Sequence, residues 1–163
     1  MFPLLASAYG IAVLVLLAWA ARDHWTSGGF GSPELRINHV RPSIGDNLQV
    51  SLVLPTRFNG TVQWMTLRLR CEAKDTSWFD ISGEDPDTLL FEQREYLFRG
   101  VSVQSRGSLD GRAEFSLPRQ LPPSSPAAET SNMRIVWTLY LEGEGNLRRS
   151  IKSEYILDIA PSS

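Results

Sequence analysis

The chain is poor in the residues from which catalytic and metal centres are built. Its 163 residues include one cysteine, Cys71, and two histidines, His24 and His39. A single cysteine excludes an internal disulfide, and the set offers neither a Cys-x-x-Cys pair nor a zinc-ligand spacing. The Gly-x-Ser-x-Gly nucleophile turn is missing, as is the glycine-rich phosphate loop that ends in Lys-Ser or Lys-Thr. A serine triad would have to use His39, which falls at the end of a predicted strand. An excess of one charge is also absent. Sixteen Lys and Arg face eighteen Asp and Glu, a net of −2, with the signs interspersed. That balance argues against nucleic acid as a partner and leaves proteins as the expected class. The sequence therefore predicts no catalytic residue, no cofactor and no metal site.

What is present first is a run of apolar residues. Phe2 to Ala21 reads FPLLASAYGIAVLVLLAWAA, with no charge. As a helix at about 1.5 Å per residue it reaches roughly 30 Å, the thickness of a bilayer's hydrocarbon core. Pro3 suits a helix start, and Trp19 and Trp25 sit where indole rings favour the water interface. No Lys or Arg precedes the run, which argues against a cleaved signal peptide even though Ala18-Trp19-Ala20 imitates a cleavage site. The expectation is a retained single span, residues 1–25 in all, in a bacterial inner membrane. Arg22, Arg36 and Arg41 follow it, so the positive-inside tendency favours the cytoplasmic over the periplasmic face for the rest of the chain. Ala6, Gly10 and Ala18 also give the span small residues that could pack on another helix.

Residues 26–33, TSGGFGSP, read as a flexible linker. Residues 34–160 read as one β domain, with 161–163 as a tail, because the apolar residues recur at every second position and no helical period is sustained. Leu35, Ile37 and His39 mark a first strand, and Leu48, Val50, Leu52 and Leu54 a second. Val62, Trp64, Leu67, Leu69 and Cys71 mark a long third with a bulge where the alternation slips. Tyr96, Phe98, Val101 and Val103 follow, then Ala113, Phe115 and Leu117, then Ile135, Trp137, Leu139 and Leu141, and last Ile151, Tyr155, Leu157 and Ile159. Turns are expected at 42–46, 58–60, 109–111 and 142–146. Seven short strands fit an all-β, antiparallel two-sheet sandwich with one core, to which Trp64, Trp137 and Phe115 are assigned. Cys71 reads as a small buried apolar residue rather than a reactive thiol.

The order of motifs resembles a known fold family. Pro42-Ser43-Ile44-Gly45-Asp46, Leu67-Arg68-Leu69-Arg70-Cys71, Phe115-Ser116-Leu117-Pro118, Leu121-Pro122-Pro123-Ser124 and Ile135-Val136-Trp137-Thr138-Leu139 together resemble an arrestin-like, immunoglobulin-like sandwich. They look most like the soluble C-terminal domain of some multi-pass bacterial membrane proteins of unknown function. The resemblance runs from Leu35 to Ile159. It departs in the single span and at Asp46-Asn47, where such domains often carry more glycine. It implies a fold and a protein-binding habit and supplies no catalytic residues. The segment Arg119 to Pro126 also has the form of a polyproline ligand, but its place between two strands, where the resembled fold keeps a proline-bearing crossover, favours a structural role.

Trp78, Phe79 and Phe91 flank an acidic connection, Asp75, Asp80, Glu84, Asp85 and Asp87, outside the clearest alternation. They are the candidate partner-binding residues, since exposed aromatics in a loop often mark a contact surface. The acidic spacing fits no calcium loop. The sequence thus predicts a membrane-anchored, non-catalytic interaction or scaffolding module within a membrane-associated assembly. The alternative is an envelope ligand- or cation-binding subunit, or enzyme, using residues 75–87.

Overall fold

The computed structural model describes residues 29–75, 88–125 and 133–162. The expected span over 2–21 lies outside them, and among the described residues no helix is long and apolar enough to cross a membrane. Seven strands form: β1 Glu34–Ile37, β2 Asn47–Pro55, β3 Gly60–Asp75, β4 Thr88–Val103, β5 Ser108–Ser116, β6 Met133–Gly145 and β7 Ser150–Leu157. They make two antiparallel sheets, one of three strands in the order β1-β2-β5 and one of four in the order β4-β3-β6-β7. Alternation dictates what lies between the sheets. Leu48, Val50, Leu52 and Leu54 of β2 face Leu67, Leu69 and Cys71 of β3 and Trp137, Leu139 and Leu141 of β6, all buried in one cluster with Phe115. The all-β, two-sheet sandwich read from the sequence is the fold.

Trp64 does not join that core. Between Val62 and Trp64 the pairing of β3 with β6 slips, and between Met65 and Thr66 the pairing with β4 slips. A bulge adds one residue to its strand and swaps the faces beyond it. Met65 therefore points inward, fully buried, and Trp64 turns to the outer face, half-buried. The same slip sends Tyr96 outward while Phe98 packs on the core. Two expected turns are strand: 109–111 lies within β5, and Glu142 to Gly145 lie within β6. Gly143 is there for contact rather than for turning. A Cβ on it would stand 3.1 Å from both the Met65 methyl and the Trp64 carbonyl oxygen, so a side chain there would push the bulged strand back by a few tenths of an ångström.

Residues 29–33 are not tether but the start of the sandwich. Gly31 N–H donates to the Pro55 carbonyl at 2.7 Å, Arg57 N–H donates to the Gly29 carbonyl at 2.9 Å, and the Phe30 ring stands edge-on to Phe58 at 5.3 Å. A Gly/Ser composition suggests a flexible linker, but the buried Phe30 docks this one.

Strand polarity gives the sandwich two ends. The chain enters at one end through 29–33, beside the turns 56–59, 104–107 and 146–149. The opposite end holds 38–46 and the crossover 117–125. There the Trp137 indole N–H donates to the Pro122 carbonyl at 3.0 Å, and Ser124 and Ser125 N–H groups donate to the carbonyls of Ile159 at 2.9 Å and Ile135 at 3.1 Å. The prolines thus close the gap between β5 and β6 without demanding ladder hydrogen bonds they cannot donate.

Candidate interaction surface

The outer face of the four-stranded sheet carries a dense polar network. From β3 come Trp64, Thr66, Arg68, Arg70 and Glu72; from β4 Glu92, Arg94 and Tyr96; from β6 Tyr140, Glu142 and Glu144. Arg68 lies at the centre, with Nη2 2.9 Å from Glu142 and Nη1 3.6 Å from Glu92. Arg70 reaches Glu72 at 3.0 Å and Glu92 at 3.2 Å, the latter an ion-pair contact of Nε without hydrogen-bond alignment. Both guanidinium groups lie over the Tyr140 ring, at 5.1 and 5.9 Å. The Glu72 side chain is only 6% exposed, so this network is screened by salt much less than ordinary surface pairs.

Beside the network is a groove of about 400 Å³ lined by Gln63, Trp64, Thr66, Arg94, Tyr96, Arg99 and Glu142. The bulge creates it by bringing Trp64 outward. Two of its walls carry defined contacts. The Trp64 indole N–H donates to Glu144 at 3.2 Å, and the Arg99 guanidinium stacks 3.7 Å over the Tyr96 ring. Arg94 keeps a loose contact with Glu92 at 3.8 Å. Arg99 has no carboxylate within ion-pair distance among the described residues. Tyr96 is 51% exposed. Tryptophan, tyrosine and arginine gathered around a concave site are the residue types that dominate protein–protein binding energy.

The two edges of this sheet differ. β4 is tied to the neighbouring sheet by Gln93, whose side chain donates to the Glu114 carbonyl and accepts from Ser116 N–H, both at 3.3 Å. β7 pairs with β6 alone and presents Ile156, 72% exposed, on its outer face.

Of the candidate residues named from sequence, Trp78 and Phe79 lie outside the described residues. Phe91 stands on β4, half-buried, its ring tilted against Trp137 at 6.0 Å. Asp75 ends β3, opposite Met133 of β6, and Asp80, Glu84, Asp85 and Asp87 lie outside the described residues. Among the described residues no three His, Cys, Asp or Glu side chains come together to hold a metal ion. Cys71 is buried; burial first and the neighbouring Glu72 carboxylate second push its thiol from 9.0 up to about 11. Sequence reading missed Arg94, Tyr96 and Arg99 as surface. The signal was available in the slipped alternation at Trp64-Met65 and Leu97-Phe98, read across the strand pair rather than along one strand.

No protein-family model matches the chain, and no curated protein matches it. Among solved structures it is similar to Spo0M, a sporulation control protein from Bacillus subtilis, with a TM-score of 0.60 at 8% sequence identity. The match covers 81% of this chain and 49% of that one, so the chain spans about half that protein's length. The fold is a sheet-rich, arrestin-like sandwich. An identity this low carries the fold and leaves activity to the site itself.

Proposed function

We propose that this chain is a non-catalytic protein-interaction module held at a membrane by residues 2–21, and that the Trp64/Tyr96/Arg99 groove is where its partner docks. The groove carries the reading. It places two aromatic rings and two guanidinium groups on an open sheet face, one of the latter without a carboxylate partner among the described residues. A partner segment that offers an acidic side chain to Arg99 and an apolar one to Trp64 would satisfy both. Arg99 is already stacked on Tyr96 and the Trp64 indole already bonded to Glu144, so less side-chain entropy remains to be lost on binding. Confinement at a bilayer raises the local concentration of other membrane proteins, which makes them the expected partners and allows modest pairwise affinity. A sporulation control protein with the same fold fits a regulatory or scaffolding role. Trp78 and Phe79, in the acidic β3–β4 connection, are a second proposed contact; Phe91 serves the core.

The test is capture of companions by the full chain, gently solubilised, compared with the Tyr96→Ala/Arg99→Glu and Trp78→Ala/Phe79→Ala variants. The expected outcome is a defined membrane or membrane-associated companion whose recovery falls at least about tenfold with the first variant, which keeps its thermal stability. Undiminished recovery from that variant contradicts the groove. Loss with the second variant alone moves the contact to the loop.

A further inference from the structure

The end of the sandwich at which the chain enters is a cationic platform. Its four segments, 29–33, 56–59, 104–107 and 146–149, contain Arg57, Arg106, Arg148 and Arg149 and no Asp or Glu. None of these arginines has a carboxylate within ion-pair distance among the described residues. At the opposite end, Arg41 is paired with Asp158 at 2.9 Å, and the segments 38–46, 117–125 and 158–162 balance Arg41 and Arg119 against Asp46 and Asp158. Among the described turns, the excess positive charge therefore gathers at the entry end.

The platform is tied together as one surface. Thr56 N–H donates to the Gly107 carbonyl at 2.9 Å, Arg106 N–H to the Thr56 carbonyl at 2.8 Å, and Ser105 N–H to the Asn59 side chain at 2.7 Å. Arg149 stacks 4.7 Å over Phe58, against which Phe30 also packs. At the tip of the β6–β7 turn Leu147 is 76% exposed, directly before Arg148 and Arg149 in sequence. Leu147 and Arg148 both hold a φ of 59°, a left-handed backbone that such residues rarely keep without a local reason.

We infer that this end is a lipid-facing surface for an anionic bilayer, with the arginines on phosphate headgroups and Leu147 reaching the interface. The inference rests on the anchored reading. If 2–21 spans the bilayer, residues 22–28 reach no farther than about 25 Å, so the end that begins at Gly29 must lie near the headgroups. Four guanidinium groups with no ion-pair partner among the described residues are attracted to anionic lipid beside them. The domain then stands end-on, and the outer face of the four-stranded sheet, at right angles to the bilayer, stays open to a partner.

The experiment uses the full chain in vesicles of phosphatidylcholine with or without phosphatidylglycerol. An environment-sensitive dye is attached at Leu147→Cys or, at the opposite end, at Val40→Cys; Cys71 is buried and remains unlabelled. The expected result is quenching of the dye at position 147 by a lipid-borne quencher only when phosphatidylglycerol is present, with position 40 in water. Each single Arg→Ala change should weaken this approach about fivefold, and Arg57→Glu/Arg106→Glu/Arg148→Glu should abolish it. A dye at 147 that stays in water, or is quenched equally without phosphatidylglycerol or in the triple variant, overturns the inference. Alkaline carbonate separates the two failures. A chain that stays with the vesicles while 147 stays in water keeps its anchor and loses the platform; a chain released from them loses the anchor on which the platform rests.

Discussion

Cys71 lies fully buried in β3, opposite Trp137 of β6 and next in sequence to the buried carboxylate of Glu72. Because the folded thiol titrates near 11 and the unfolded one near 9.0, the folded chain keeps a proton that the unfolded chain releases between those values. The stability this contributes is complete below pH 9 and lost as pH rises toward 11. Denaturation midpoints of wild type and Cys71→Ala, measured from pH 8 to 11, should therefore converge as pH rises. Parallel profiles would contradict the assignment. At the same scale the alternation of Leu67, Leu69 and Cys71 was legible because each sits on an undisturbed stretch of strand. Trp64 was not, because its orientation depends on a bulge whose exact place is set by how β3 meets β6 and by the bare Cα of Gly143. Tryptophan's apolar bulk suggested core; the indole N–H, bonded to Glu144, suits the outside as well.

At the level of elements, the β6–β7 turn is the one most at odds with its residues. A tight hairpin with two left-handed positions prefers Asn-Gly, and here Leu147 and Arg148 occupy them. Leu147→Asn with Arg148→Gly should stabilise the fold by about 1–2 kcal/mol, read as a rise in denaturation midpoint. The same change should weaken approach to anionic vesicles, because it removes a cation and the projecting leucine. A neutral or destabilising effect would mean that the turn is not strained as described. Glycines misled the sequence reading of this region. Gly143 and Gly145 look like turn residues, yet they extend β6 to the end of the sheet, since glycine serves close approach as readily as a turn. The crossover was legible for the opposite reason: consecutive prolines cannot continue a ladder, and Trp137 offers one indole N–H to whatever carbonyl they leave free.

Over the whole molecule, alternation alone gave seven strands and two sheets, because burying one face of every strand leaves few other arrangements. The surface was harder to read. The arginines of the chain-entry end are scattered from Arg57 to Arg149 in sequence and meet only because strand polarity brings three turns and the entering segment to one end. The groove likewise joins Trp64, Tyr96 and Arg99 across a strand pair.

These features converge on the groove of the four-stranded sheet as the place that receives a membrane or membrane-associated protein. A photo-crosslinking side chain placed at Tyr96 in the full chain, in its own cells, tests this most directly, with Gln49 on the opposite sheet's exposed face as the control site. The expected result is one discrete adduct from position 96, identified by mass spectrometry as such a protein, and none of that species from position 49. The same adducts from both positions, or none from 96, would contradict it.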